Sequence, residues 1–254
     1  MTKRWSRKFR RQSKSLMKYQ SASYGLETKD IKEARREFFR GIGKPEMTEF
    51  KPDPFQLQAI DSVLNCMDTL VVAPTGSGKT YIAISVINIF LSMGISCIYT
   101  TPLKALSNTK YVEFREQFKN YRVGILTGDR KIDTDGDLIV ATTEIFRNET
   151  LRHSASWGLV VIDEAHYLSD PQRGVVWEES IILCPKDSTL LLLSATIGNP
   201  NVFRDWISFA REKPCALVLE TRRPVELRFG VLEKGAGILP LSVFDKSKKN
   251  PCKS

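Results

Sequence analysis

Cysteine at metal-binding or redox spacing is missing from this chain. Its five cysteines, Cys66, Cys97, Cys184, Cys215 and Cys252, are odd in number, widely spaced and never form a Cys-x-x-Cys. That pattern excludes a disulfide framework and a cysteine zinc site, and leaves reduced structural thiols in a reducing compartment. Long apolar runs are missing too. The longest, Tyr81 to Met93, is broken by Ser85, Asn88 and Ser92 and is too short and polar to span a bilayer. No secretory apolar segment opens the sequence, and acidic residues are absent from Met1 to Leu26. Histidine occurs only twice.

What is present is ordinary in bulk and uneven in distribution. Hydrophobic residues make up 42% and charged residues 26% of 254 positions, enough for a substantial core. The net charge of +9 is concentrated in residues 1–44, which hold fourteen Lys/Arg against four Asp/Glu. The other residues hold 24 basic and 25 acidic side chains, so a basic head precedes a neutral body. Within the head, alternating charges from Lys29 to Phe39 predict a solvated helix, and Gly41, Gly43 and Pro45 mark the start of the globular part.

From there short apolar runs alternate with helix-length segments. The predicted strands are Thr69–Ala73, Ser96–Thr100, Val123–Thr127, Leu138–Ala141, Leu159–Ile162, Leu190–Leu193 and Cys215–Leu219. They are apolar throughout, as strands buried on both faces of a parallel sheet must be. Lys79–Met93 and Lys104–Phe118 predict helices, the second placing Tyr111, Phe114 and Phe118 against the sheet. The expected fold is α/β, a doubly wound and mostly parallel sheet with a basic N-terminal extension. The expected division is 1–44 for the basic arm and helix, 45–230 for the nucleotide-binding domain, and 231–254 for a tail or linker.

Three strand ends carry chemistry. Ala73-Pro74-Thr75-Gly76-Ser77-Gly78-Lys79-Thr80 follows a strand and opens a helix, the context of a phosphate-binding loop, although Ala73 stands where the generic pattern has glycine. Gly76 and Gly78 let several N–H groups turn toward one point, Lys79 reaches the β- and γ-phosphates, and the Thr80 hydroxyl suits Mg²⁺. A second strand ends in Asp163-Glu164-Ala165-His166, which sets two carboxylates at the sheet's C-terminal edge. Asp163 is the candidate Mg²⁺ ligand and Glu164 the acceptor of the attacking water's proton. A third ends in Ser194-Ala195-Thr196; alone this reads as a turn, and its weight comes from standing third in order after Lys79 and Asp163.

That ordered set resembles the first RecA-like lobe of superfamily-two helicases, over about Phe50 to Glu233. Pro102-Leu103-Lys104-Ala105-Leu106-Ser107-Asn108, Thr127-Gly128-Asp129, Ala141-Thr142-Thr143-Glu144 and Arg173-Gly174-Val175-Val176-Trp177-Glu178-Glu179 make it most similar to the superkiller-type, exosome-associated DExH RNA helicases. The resemblance implies that Phe50 stacks on adenine and Gln56 reads its edge, and that ATP and Mg²⁺ are the cofactors. It implies that Pro102, Lys104, Asn108, Gly128, Asp129, Thr142 and Thr143 line a groove for single-stranded RNA, with DNA possible. Thr109 stands where the nearest relatives commonly have Gln. His166, Ser194 and Thr196 are implied to couple nucleotide state to strand grip.

The resemblance also implies a second RecA-like lobe with an arginine that completes the ATP site. No such motif follows Arg222-Arg223-Pro224-Val225-Glu226-Leu227, so slow hydrolysis by this lobe alone is the expectation. A DNA helicase of the neighbouring branch and a non-catalytic nucleotide-dependent adaptor stand as rival readings. The head, with Lys3, Arg4, Arg7, Lys8, Arg10, Arg11, Lys14 and Lys18 interleaved with Trp5, Phe9 and Tyr19, reads as an RNA-binding arm, a transit peptide or a solvated tail. A cytoplasmic location is expected, with organellar import as the alternative.

Overall fold

Strands buried on both faces need helices on both sides, and the computed structural model supplies them. It describes residues 28–40, 51–152, 157–171, 173–224, 226–233 and 237–241. The basic arm and Phe50 lie outside the described residues. Two compact units result, one of residues 50–225 and one drawn from 1–49 and 226–254.

In the larger unit the chain runs α2 (Pro54–Leu64), β1 (Asp68–Val72), α3 (Lys79–Ser92), β2 (Cys97–Thr101), α4 (Lys104–Gln117), β3 (Val123–Leu126), β4 (Lys131–Ile132) and β5 (Leu138–Thr142). It continues through α5 (Thr143–Leu151), β6 (Leu159–Ile162), a 3-10 turn (Ala165–Ser169), α6 (Gly174–Leu183), β7 (Thr189–Ser194), α7 (Pro200–Arg211) and β8 (Cys215–Leu219). The eight strands lie in the order β4-β3-β5-β2-β6-β7-β1-β8, parallel except where β4 turns back on β3. All seven predicted strands form within a residue or two of the expected bounds. The added strand, β4, is two exposed residues, too short to leave a hydrophobic pattern.

Alternate strand residues divide between two cores. Val71, Tyr99, Val140, Val161 and Leu191 pack against α2, α3 and α4, where Ile82, Val86, Tyr111 and Phe114 are buried. Leu70, Ile98, Ile139, Val160 and Leu192 face α5, α6 and α7, which contribute Phe146, Trp177, Ile181 and Ile207. Each fully buried side chain of this kind contributes about 1.5–3 kcal/mol, which makes the sheet a rigid base for its loops.

The N-terminal edge of the sheet holds a buried ion pair. Arg211 Nε donates to Asp68 Oδ2 at 2.8 Å, with both side chains essentially inaccessible. The remaining guanidinium nitrogens donate to the carbonyls of Cys184, Pro185 and Ser188, and Leu190 N–H donates to the other Asp68 oxygen at 2.9 Å. A buried charge pair is tolerated only when so fully hydrogen-bonded.

The smaller unit contains α1 (Thr28–Phe38) and an antiparallel hairpin of β9 (Gly230–Glu233) and β10 (Gly237–Pro240). Arg228 donates to the carbonyls of Phe38 at 2.7 Å and Arg40 at 2.6 Å, satisfying the end of α1. The helix of the head and the hairpin within the segment read as a tail therefore belong to one unit. Their pairing joins residues some 190 positions apart, which no local pattern announces.

Candidate nucleotide site and strand-binding face

The sheet order sorts the motifs. Strands β6, β7 and β1 are direct neighbours, and their C-terminal ends carry Asp163-Glu164, Ser194 and the phosphate-type loop. Strands β3, β5 and β2 are likewise adjacent, and their ends carry Thr127-Gly128-Asp129, Thr142-Thr143 and Pro102. One edge of one sheet thus offers two contiguous sets of loops, where open α/β sheets take ligands.

In the loop after β1, Gly76 and Gly78 adopt φ of +86° and +82°, the left-handed region that side chains resist. Gly78 is doubly required, because a Cβ there would lie 2.5 Å from Gln56 Nε2. Ala73 N–H donates to the Ser194 carbonyl at 3.0 Å, which ties the loop's start to the end of β7. The Lys79 ammonium folds back onto the carbonyls of Ala73 at 2.7 Å and Pro74 at 3.1 Å. Burial lowers its pKa, opposed by the charges of Glu164 and Asp163, so lysine and both acids share one electrostatic neighbourhood. Thr75 and Gly76 are exposed at the loop's tip, Thr80 is half-buried in the first turn of α3, and Ser77 Oγ is buried with no partner.

Gln56 is more committed than the sequence suggested. Its Nε2 donates to Ser77 O at 3.0 Å and sits 3.4 Å from Gly78 O, while its Oε1 accepts from Asp53 N–H at 2.9 Å. The side chain is buried and bolts the start of α2 to the phosphate-type loop.

Asp163 is held from both sides. Tyr99, buried in β2, donates its hydroxyl to Oδ2 at 2.5 Å, and Glu164 N–H donates to Oδ1 at 2.9 Å. Burial and the Asp163 charge push the Tyr99 phenol well above its usual pKa, so it stays a donor. Tyr99 escaped sequence reading because it is one more apolar-looking position in a strand. Glu164 is strained: its φ of +54° is left-handed in a residue with a Cβ. Burial and then the Asp163 charge raise its carboxyl pKa, against the attraction of His166 and Lys79. Its Oε2 approaches His166 Nδ1 to 3.2 Å without hydrogen-bond alignment, and both atoms are otherwise unpartnered. Ser194 is buried, its hydroxyl 3.4 Å from the carbonyl of exposed Thr196.

On the second set of loops, Lys104 and Asp129 form an exposed pair at 3.3 Å, and Thr127 donates to the same carboxylate oxygen at 2.9 Å. These contacts hold the Asp129 carboxyl below its usual pKa. Gly128 is exposed beside Lys104, where a Cβ would make only an ordinary contact, 3.6 Å, with its Nζ. Asn108 donates to Lys104 O at 3.0 Å and accepts from Arg130, a residue the motif reading missed. Pro102, Thr142 and Thr143, expected to line the groove, stand at the ends of β2 and β5. All three are buried, and the Thr143 hydroxyl is 3.3 Å from Thr101 O.

A parallel sheet with a glycine-turned loop, a lysine and paired carboxylates at its C-terminal edge defines an α/β nucleotide-binding domain of the phosphate-loop class. The chain belongs to the DEAD/DEAH box helicase family, matched over residues 53–204. It is similar to the chloroplastic DExH-box ATP-dependent RNA helicase DExH15 of Arabidopsis thaliana, with 45% identity over 202 residues covering 76% of this chain and 17% of that protein. It is 41% identical to DExH9 of the same plant over 78% of this chain and 20% of that protein. Against the exosome RNA helicase MTR4 of Mus musculus it is 41% identical, over 75% of this chain and 18% of that protein. The chain thus spans about a fifth of the length of these relatives. A crystal structure of a hypothetical ATP-dependent RNA helicase from Sulfolobus tokodaii shares the fold at 20% identity, with a TM-score of 0.55 over 76% of this chain and 57% of that one. Among the described residues no helix is long and apolar enough to cross a membrane.

Proposed function

We propose that residues 50–225 are the ATP-binding lobe of an ATP-dependent RNA helicase, holding nucleotide at the ends of β1, β6 and β7 and single-stranded RNA at the ends of β2, β3 and β5. The observation that carries this reading is the adjacency of the three motif-bearing strands, with Lys79 close enough to respond to both Asp163 and Glu164. RNA is preferred to DNA because the relatives similar to this chain are named RNA helicases.

Lys79 exchanges the carbonyls of Ala73 and Pro74 for β- and γ-phosphate oxygens, which match its charge better than neutral acceptors do. The amides of Gly76 and Gly78, which make no hydrogen bond among the described residues, are available to the same phosphates. Glu164 accepts a proton from the attacking water, and its raised pKa makes it a stronger base. Tyr99 and the Glu164 amide keep Asp163 in place. Gln56 and Phe50 contact adenine, and His166, Ser194 and Thr196 relay nucleotide state to the strand face. The donor set fits Mg²⁺: Thr80 and Asp163 offer hard oxygen atoms and would hold the ion beside the phosphates. Mg²⁺ would offset the charge of the phosphates.

The family resemblance implies that a guanidinium from a second lobe would complete the site, and turnover by this lobe alone is expected to fall about 10³–10⁵-fold short of the completed pair. The test is ATP hydrolysis by the chain with and without a second lobe supplied in trans, stimulated by RNA or by DNA of equal length. Stimulation by RNA that vanishes in Lys79→Ala supports the reading. Full turnover by the isolated chain defeats the need for a second lobe, and preferential stimulation by DNA defeats the RNA assignment.

A further inference from the structure

The arginines of the larger unit differ in their company. Arg122, Arg147, Arg152, Arg204 and Arg211 each sit beside a carboxylate. Arg115 and Arg130 share a ring instead. Their guanidinium carbons lie 5.5 and 5.6 Å from the centre of the Tyr111 ring, and among the described residues neither is ion-paired to a carboxylate. Like charges gathered on one platform repel, so packing alone is a poor reason for two. An added polyanion would relieve that repulsion.

The pair is also aligned and fixed. Lys104, Asn108, Tyr111 and Arg115 recur at i, i+4, i+7 and i+11, one stripe of α4 roughly 16 Å long. Arg130 reaches this stripe from the turn between β3 and β4, where Thr127 N–H donates to its carbonyl at 2.8 Å and its own N–H donates to Thr127 Oγ1 at 3.1 Å. Its guanidinium donates to Asn108, which is anchored to Lys104 O. The Lys104 half of the stripe belongs to the groove already described; the Arg115 half runs beyond it.

We propose that Arg130 and Arg115 extend the RNA track along α4, each taking a backbone phosphate, so that Lys104 is the first of three cations under the strand. The inference rests on the reading that this face holds single-stranded RNA. A planar guanidinium presents its N–H groups in a fork that fits two phosphate oxygens, and stacking on Tyr111 pre-orients that fork. Such contacts carry no sequence information and add grip at every step of the strand.

The experiment is the salt dependence of binding of the full chain to a labelled single-stranded polyuridylate. Arg115→Gln with Arg130→Gln is expected to weaken binding roughly tenfold at 0.1 M salt and to flatten the log-affinity against log-salt slope by about 1.4, two contacts at ~0.7 each. The charge-preserving pair Arg115→Lys with Arg130→Lys is expected to keep the slope, and near-UV circular dichroism reports intact packing. Should the double glutamine variant lose its fold, each single variant is expected to flatten the slope by about 0.7. Lys104→Gln reports on the groove itself. If Lys104→Gln flattens the slope and the arginine variants do not, the extension is overturned and the groove stands. If none of them changes binding, the strand lies elsewhere and both ideas fall.

Discussion

The two edges of the central sheet solve opposite problems. At the N-terminal edge, Arg211 and Asp68 are sealed from water and almost every polar atom around them is paired. At the C-terminal edge, Ser77 Oγ, Glu164 Oε2 and His166 Nδ1 are buried and unpartnered, and Glu164 is held left-handed. An ion pair satisfied by three backbone carbonyls and one amide fixes geometry and does nothing else. Strain and unmet hydrogen-bonding capacity persist where a ligand supplies the missing partners. The comparison teaches that stability and chemistry are kept at opposite ends of the same strands.

Substitutions at the two ends should separate those properties. The largest effect is expected from Glu164→Gln, which lowers single-turnover ATP hydrolysis by about 10²–10⁴-fold while ATP binding survives. Hydrolysis unchanged in this variant would remove Glu164 from the role of base, whereas cellular function retained after hydrolysis is lost would mark the lobe as a binding adaptor. Next in size, Arg211→Ala leaves buried Asp68 with Lys213, 3.8 Å away, as its remaining cation and is expected to cost about 3–5 kcal/mol in urea unfolding, with ATP affinity unchanged in the folded fraction. Arg211→Met combined with Asp68→Leu should restore much of that loss, and a double variant no better than the single would show that the pair's own chemistry is required.

A smaller effect probes the strained edge by pH. Because the folded-state pKa of Glu164 is raised, ionisation opposes folding: its contribution is most favourable below its ordinary range near 4.5 and is lost as pH rises through the folded value. Glu164→Gln is therefore expected to melt at a higher temperature than the parent at pH 8, with the gap closing as pH falls toward 4. A gap independent of pH would show that ionisation of Glu164 is not its source. Smallest in consequence is thiol labelling. Burial pushes Cys97, Cys184 and Cys215 up to about 12, whereas Cys66 is exposed. Peptide mapping after brief native labelling should find Cys66 modified and those three protected until the chain unfolds.

The halves of this comparison were unequally visible in the sequence. Seven strands could be read because burial on both faces forces continuous apolar runs, and Lys79, Asp163 and Ser194 stood out because each ends such a run. Asp68 and Arg211 are 143 positions apart and each looks like a surface charge in its own neighbourhood. Their pairing depends on β1 lying between β7 and β8, a topological fact that no local pattern encodes. Gln56 was picked out by its motif, but the motif gave no hint that the amide is already engaged. Pro102, Thr142 and Thr143 show the converse: a motif names a position and leaves open whether side chain or backbone meets the ligand.

The engagement of Gln56 bears on nucleotide choice. A single amide spans the place where a base would be sensed and the carbonyls of Ser77 and Gly78. If Gln56 senses the base as proposed, recruiting its amide to a purine edge would loosen its hold on those carbonyls, so base identity and the mobility of the loop would become one mechanical variable. A nucleotide with the wrong edge would leave the bolt shut, and selectivity would then reside in whether the loop can rearrange as much as in how well the base fits.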